Sequence, residues 1–181
     1  MIRTRQLAAK TMPRQKPGRS RQNYETPSDF IAAVEQRYGQ IDFDLAASPS
    51  NAKAECFYTA RQNSLTKMWV GEEAPNRSFT FWLNPPYRLI DPWVEKCILE
   101  RPFLTRGQIL VLLPAAVGSR WFEKWVWKKA EIRFLQGRIC FIPGEPYIKD
   151  SMLLRYRNPR FGTSISIWDW KNNRLIQEIQ T

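Results

Sequence analysis

The 181-residue chain contains no histidine. That absence excludes Ser-His-Asp and Cys-His catalysis, HExxH zinc chemistry and any imidazole-based pH switch. Its three cysteines, Cys56, Cys97 and Cys140, form no CxxC pair and no zinc spacing. They read as reduced thiols in a core rather than as a disulfide or metal framework. The eight glycines include no GxG, so the usual glycine-rich loop of a nucleotide-binding strand end is missing. The longest apolar run, residues 109–117, contains Pro114 and is too short to span a bilayer. The amino terminus has charge but no apolar stretch of signal-peptide type. These absences predict a soluble cytoplasmic protein with no membrane segment and no metal.

Aromatic residues are abundant by contrast. Eight Trp and ten Phe, within a 43% hydrophobic composition, can fill the core of one domain. Lys and Arg number 28 against 17 Asp and Glu, for a net charge of +11, which points toward a polyanionic partner. Seven of those charges, Arg3, Arg5, Lys10, Arg14, Lys16, Arg19 and Arg21, lie in a stretch without an acid. The expected organisation is a disordered basic arm over residues 1–23 and a single domain over 24–181.

Thr26-Pro27 predicts a helix N-cap followed by proline at the first helical position. Phe30, Ile31, Val34 and Tyr38 then keep helical spacing up to Gly39. A short strand over residues 41–45 carries Asp42, read as structural, and Asp44 before the small residues Ala46, Ala47 and Ser48. Residues 56–58 fit a strand, and residues 65–70 fit a strand or a short helix. Residues 79–83 form a buried strand that must stop at two prolines. Asp91-Pro92 opens a helix to about Glu100, residues 109–113 form a fully buried strand, and Ser119 opens a helix bearing Trp121, Phe122, Trp125 and Val126. Residues 132–135 and 138–141 suggest a hairpin around Gln136-Gly137, with residues 164–168 as the last strand. The pattern predicts a three-layer α/β architecture, mostly parallel with an antiparallel edge.

In open α/β sheets the working residues gather beyond the carboxyl ends of the strands. Two polar strand ends qualify here: Asp44 with its small-residue loop, and Asn84-Pro85-Pro86-Tyr87. The second suits one chemistry. The lone pair of an aromatic amine is delocalised into its ring, which makes the nitrogen a poor nucleophile. Two acceptors, the Asn84 side-chain oxygen and the Pro85 carbonyl, can take both N–H bonds, leave the lone pair free and stabilise the positive charge that develops. Two prolines fix the backbone, and the Tyr87 ring is placed to stack on a base. No histidine is needed.

The whole arrangement resembles the phage-type DNA N6-adenine methyltransferases, a Dam-like family dependent on S-adenosylmethionine. The matching pieces occur in order: Tyr24-Glu25-Thr26-Pro27, Phe43-Asp44-Leu45-Ala46-Ala47, Asn51-Ala52-Lys53, Asn63-Ser64-Leu65 with Trp69, Leu83-Asn84-Pro85-Pro86-Tyr87, Trp93-Val94, Leu112-Leu113-Pro114, Trp121-Phe122 and residues 137–141. They span about residues 24–170.

The resemblance implies an abbreviated Rossmann-like methyltransferase fold and site-specific, adenine-specific methylation of DNA. It implies a phage- or prophage-encoded enzyme of the restriction-modification type, acting in the bacterial cytoplasm on a flipped-out adenine of double-stranded DNA. Tyr24, Thr26, Pro27, Asp44, Ala46 and Asn63 then bind the cofactor, and Asn84, Pro85, Pro86 and Tyr87 are catalytic. Asn63 stands where the family tends to carry Asp, so it can accept a hydrogen bond but carries no charge. Only about 34 residues separate Asp44's strand from the one ending at Leu83, whereas a single crossover unit takes about 30. The fold must be abbreviated there, with no space for a large recognition domain. DNA contacts are therefore expected from the arm and from the basic stretch that includes Arg138, Lys149, Arg155 and Arg157. Other readings of the same tetrapeptide are methylation of RNA adenine or of protein glutamine; a reading of a different class is an inactive DNA-binding protein, with Asn63 marking a decayed cofactor site.

Overall fold

The computed structural model describes residues 25–70, 78–142 and 150–180. The arm, Tyr24 and Lys149 lie outside the described residues. Eight strands form one sheet: β1 (Phe43–Ala47), β2 (Cys56–Thr59), β3 (Thr80–Leu83), β4 (Gln108–Pro114), β5 (Glu131–Leu135), β6 (Ser151–Tyr156), β7 (Ser164–Asp169) and β8 (Arg174–Gln180). Their order across the sheet is β2-β1-β3-β4-β6-β5-β7-β8.

The centre is β4, whose residues 108–113 are all buried. A strand apolar on both sides can only sit between two cores. Ile109, Val111 and Leu113 face one core and Leu110 and Leu112 the other, as the two-residue period requires. Helix α1 (Ser28–Tyr38) covers the second core with Phe30, Ile31 and Val34. The first is covered by α2 (Asp91–Glu100) and α3 (Arg120–Trp125) through Val94, Cys97 and Phe122. Three layers result.

Six strands run in one direction; β6 and β8 run against them. The mostly parallel sheet thus has an antiparallel edge at β8 and a second reversed strand, β6, in its interior. Neither β6 nor β8 was expected from the sequence, and the hairpin over residues 138–141 does not form. The reason is that β5 already has β6 on one side and β7 on the other, so no edge is left for it. Gly137 turns the chain at φ 89°, and Ile139 and Phe141 bury their side chains in the core beneath α1 instead. Residues 65–70 form neither strand nor α-helix; a 3-10 turn, Ser64–Thr66, delivers Trp69 and Val70 to the core. Only Cys97 of the three cysteines is buried, while Cys56 and Cys140 are exposed. Trp121 and Trp125 pack against the core rather than standing free.

The abbreviation falls where the short spacing required it. Residues 48–55 lead from β1 to the parallel β2 with no helix between them. The chain then crosses over β1 to enter β3 on its other side. This reversal of strand order opens a crevice at the carboxyl ends of β1 and β3.

The opposite end of the sheet holds a charged network. Glu131, 4% exposed, faces Arg133 Nη2 at 3.3 Å and Arg155 Nη1 at 3.4 Å, and also contacts Arg157. Arg155 lies directly across from it in the β5–β6 register. Replacing the buried carboxylate with a neutral isostere takes away the acid that Arg155 and Arg157 face, while Arg133 keeps Glu178 at 2.9 Å, so the loss should be about 2 kcal/mol. Glu131→Gln should therefore lower the urea midpoint of unfolding accordingly. An unchanged midpoint would show that the network contributes nothing to stability.

Candidate active site

Pairing of β1 with β3 sets Asp44 beside Trp82, two residues before Asn84. Asp44 is 3% exposed. Its Oδ1 accepts the Ala46 N–H at 3.1 Å and its Oδ2 the Lys53 N–H at 3.0 Å. The carboxylate thus ties the end of β1 to the helix-free loop that follows. The Lys53 ammonium turns away to Glu25 Oε1 at 2.8 Å. Burial raises the Asp44 carboxyl from 3.8 to about 6, with the two N–H bonds and the Lys53 charge opposing the rise.

At the end of β3, the Asn84 amide sits between two hydroxyls. Tyr87 Oη donates to Asn84 Oδ1 at 2.8 Å, and Asn84 Nδ2 donates to Thr26 Oγ1 at 3.2 Å. Burial pushes the Tyr87 phenol far above its ordinary value, so it remains a donor at any working pH. The Tyr87 ring stands edge-on to Phe141, with centroids 6.5 Å apart. Its hydroxyl thereby orients the Asn84 amide. Thr26 is buried and is not the N-cap of α1; Pro27 takes that position, because the Thr26 hydroxyl is turned to Asn84. Pro85 is buried and Pro86 exposed at the rim.

A cavity of about 430 Å³ lies between the two strand ends. Among the expected residues, Thr26, Asp44, Ala46, Asn63, Asn84 and Pro86 line it together. Asn63 sits on its wall in left-handed backbone, φ 48° and ψ 75°, a conformation Asn tolerates. Sequence reasoning did not single out Lys53, Tyr58, Arg61, Ser64, Trp82 or Trp93, which also line it. The signal for Lys53, Ser64 and Trp93 was present, since each belongs to a matched motif.

The basic residues divide by position. Exposed Arg138 follows β5 at the Asn84 end of the sheet, where Arg88 and Arg120 are also exposed. Arg155 and Arg157 do not share it: β6 runs antiparallel to β4, which carries both to the start of β4 and into the Glu131 network. That placement separates them from Arg138 and from the Asn84 end of the sheet. Among the described residues, no group of three or more His, Cys, Asp or Glu could hold a metal ion, and no helix is long and apolar enough to cross a membrane.

The profile of the family described as "DNA N-6-adenine-methyltransferase (Dam)" matches residues 14–153. The chain belongs to that family. Dam-family relatives include a DNA N-6-adenine-methyltransferase of Escherichia phage T1, 34% identical over 144 residues, which cover 71% of this chain and 57% of the relative. Another, of Haemophilus phage HP1, is 33% identical over 124 residues and covers 67% of each chain. The present chain therefore spans little more than half the length of the phage T1 protein. Among solved structures, the methyltransferase subunit of a type I restriction-modification system from Streptococcus thermophilus is 11% identical, with a TM-score of 0.43 over 86% of this chain and 50% of that one.

The state of Asp44 in this Dam-family chain gives a pH signature. Its folded carboxyl holds the proton more tightly than the unfolded chain does, so the stability it contributes is fully present below pH 3.8 and is lost as pH rises through about 6. Asp44→Asn removes that titration. The stability of wild type relative to this variant should fall by roughly 2–3 kcal/mol between about pH 4 and pH 7.5, measured by urea unfolding. Parallel pH profiles would contradict the assignment.

Proposed function

We propose that the chain methylates the exocyclic amine of adenine in double-stranded DNA, using S-adenosylmethionine. The observation that carries this reading is the Asn84 amide held between Tyr87 and Thr26 at the end of β3, on the wall of the cavity that Asp44 also lines.

The residues present fit the cofactor. A buried carboxylate, Asp44, suits a ligand of net positive charge, and Ala46 and Ala47 permit the close approach that glycines usually provide. Thr26, Pro27, Asp44, Ala46 and Asn63 are the residues that would hold it, with Tyr24 as a further candidate outside the described residues. S-adenosylmethionine, when bound, supplies a methyl group on a positively charged sulfur.

The chain's own residues prepare the acceptor amine. Tyr87 occupies one lone pair of Asn84 Oδ1 and fixes the direction of the other. That second lone pair and the Pro85 carbonyl accept the two N–H bonds of the adenine amine. Their dipoles are set before reaction and stabilise the positive charge growing on nitrogen. A paired adenine cannot reach Asn84 inside a duplex, so the base must be turned out of the stack. Arg138, with Arg88 and Arg120, supplies phosphate contacts at this end of the sheet, and Lys149 and the basic residues 1–21 add charge for the same polyanion. Arg155 and Arg157 serve the sheet.

Transfer of labelled methyl from S-adenosylmethionine to adenine-containing duplexes tests the reading, with RNA of the same sequence as a parallel substrate. Wild type should label DNA. Asn84→Ala should lose about 100-fold or more and Tyr87→Phe about tenfold, both with unchanged melting temperatures. Full activity in Asn84→Ala would end the mechanism, and labelling of RNA alone would end the substrate assignment.

A further inference from the structure

Among the described residues Leu89 is the most exposed large apolar side chain, at 66%. Single exposed leucines are ordinary on a protein surface, but this one is distinguished by where it stands and how it is held. It ends the 3-10 turn Tyr87–Leu89, which joins the Asn84-Pro85-Pro86-Tyr87 strand end to α2. The turn is anchored at both sides. Tyr87 Oη donates to Asn84 Oδ1 at 2.8 Å, and the Ile90 side chain is buried in the core that α2 covers. The Leu89 N–H donates back to the Pro86 carbonyl at 3.4 Å and closes the turn. Leu89 is thus carried outward on a fixed backbone, with no slack to fold back onto apolar surface.

Its separation from the site follows from the turn. Pro86 lines the cavity, and a 3-10 turn rises about 2 Å per residue, so Leu89 stands roughly 6 Å beyond the cavity rim. Exposed Arg88 lies on the same turn. Val117 is also exposed at this end of the sheet, but it follows β4 and shares no segment with Asn84.

An adenine that leaves the stack to reach Asn84 stays tied to its strand, so the place it vacates lies beside the mouth of the cavity. That gap takes the base back unless something fills it. An aliphatic side chain can pack between the flanking bases and needs no hydrogen-bond partner there, and leucine is among the wedges that proteins insert at base steps. Arg88 is placed to hold a phosphate of the strand while the wedge enters.

We propose that Leu89 is the wedge that fills the stack vacated by the flipped adenine. This inference rests on the DNA adenine methyltransferase reading and deepens it. The turn that orients Asn84 through Tyr87 also keeps the target base from returning. Leu89 acts on the duplex and not on the methyl transfer, so its effect depends on how much pairing and stacking the target must lose.

Single-turnover methyl transfer separates the outcomes, on a duplex of the sequence that wild type labels and on the same duplex with its target adenine mismatched. The mismatched base costs less to extrude. Leu89→Ala should be about tenfold slower than wild type on the matched duplex and within about twofold of it on the mismatched one. Leu89→Met, which keeps a long apolar side chain, should restore most of the matched rate. Both variants should keep the wild-type melting temperature and affinity for S-adenosylhomocysteine, since the side chain is exposed and outside the cavity wall. An unchanged matched rate in Leu89→Ala overturns the inference. So does an equal loss on both duplexes, which would make Leu89 an ordinary binding contact, a Met variant as slow as the Ala variant, or a lowered melting temperature in Leu89→Ala. Absence of labelling of any DNA by wild type would instead defeat the methyltransferase reading itself.

Discussion

Everything at the site depends on the parallel pairing of β1 with β3. The register that sets Asp44 beside Trp82 brings two strand ends from distant parts of the sequence onto one cavity. Neither end forms a site alone. Asp44 organises the loop that closes the cavity on one side, through N–H bonds from Ala46 and Lys53. Asn84 presents an oriented amide on the other, held by Tyr87 and Thr26. A shift of one residue in this pairing would send Asp44 to the opposite face of the sheet.

The two ends of the sheet treat charge in opposite ways. At the amino end of β4, Glu131 neutralises arginines within a buried network that fastens β5 to β6. At the carboxyl ends, Arg88, Arg120 and Arg138 remain exposed. The fold, not the net charge, thus decides whether an arginine is spent in an ion pair or left exposed.

Much of this was readable in the sequence because local signals and long-range packing agreed. The buried run at β4, the stop at Pro85-Pro86 and the Gly39 helix end each have a local cause, and each was found. The missing GxG and the short spacing before β3 announced an abbreviated nucleotide-binding half. What stayed hidden was set by partners remote in sequence. Residues 138–141 alternate like a strand, but their apolar side chains serve the core under α1, since both edges of β5 are taken. Arg155 and Arg157 look like a basic patch in one dimension, and only the β4–β6 register reveals that they lie far from Asn84. Thr26 has the right residue type for an N-cap, yet a tertiary contact with Asn84 outcompetes the local one.

The most direct test is a crystal structure of the protein with S-adenosylhomocysteine. The ligand should lie in the crevice between β1 and β3, within hydrogen-bond reach of the Asp44 loop, with its sulfur toward Asn84. A ligand bound elsewhere, or one bound in the crevice with Asn84 out of reach of its sulfur, would contradict the proposed mechanism.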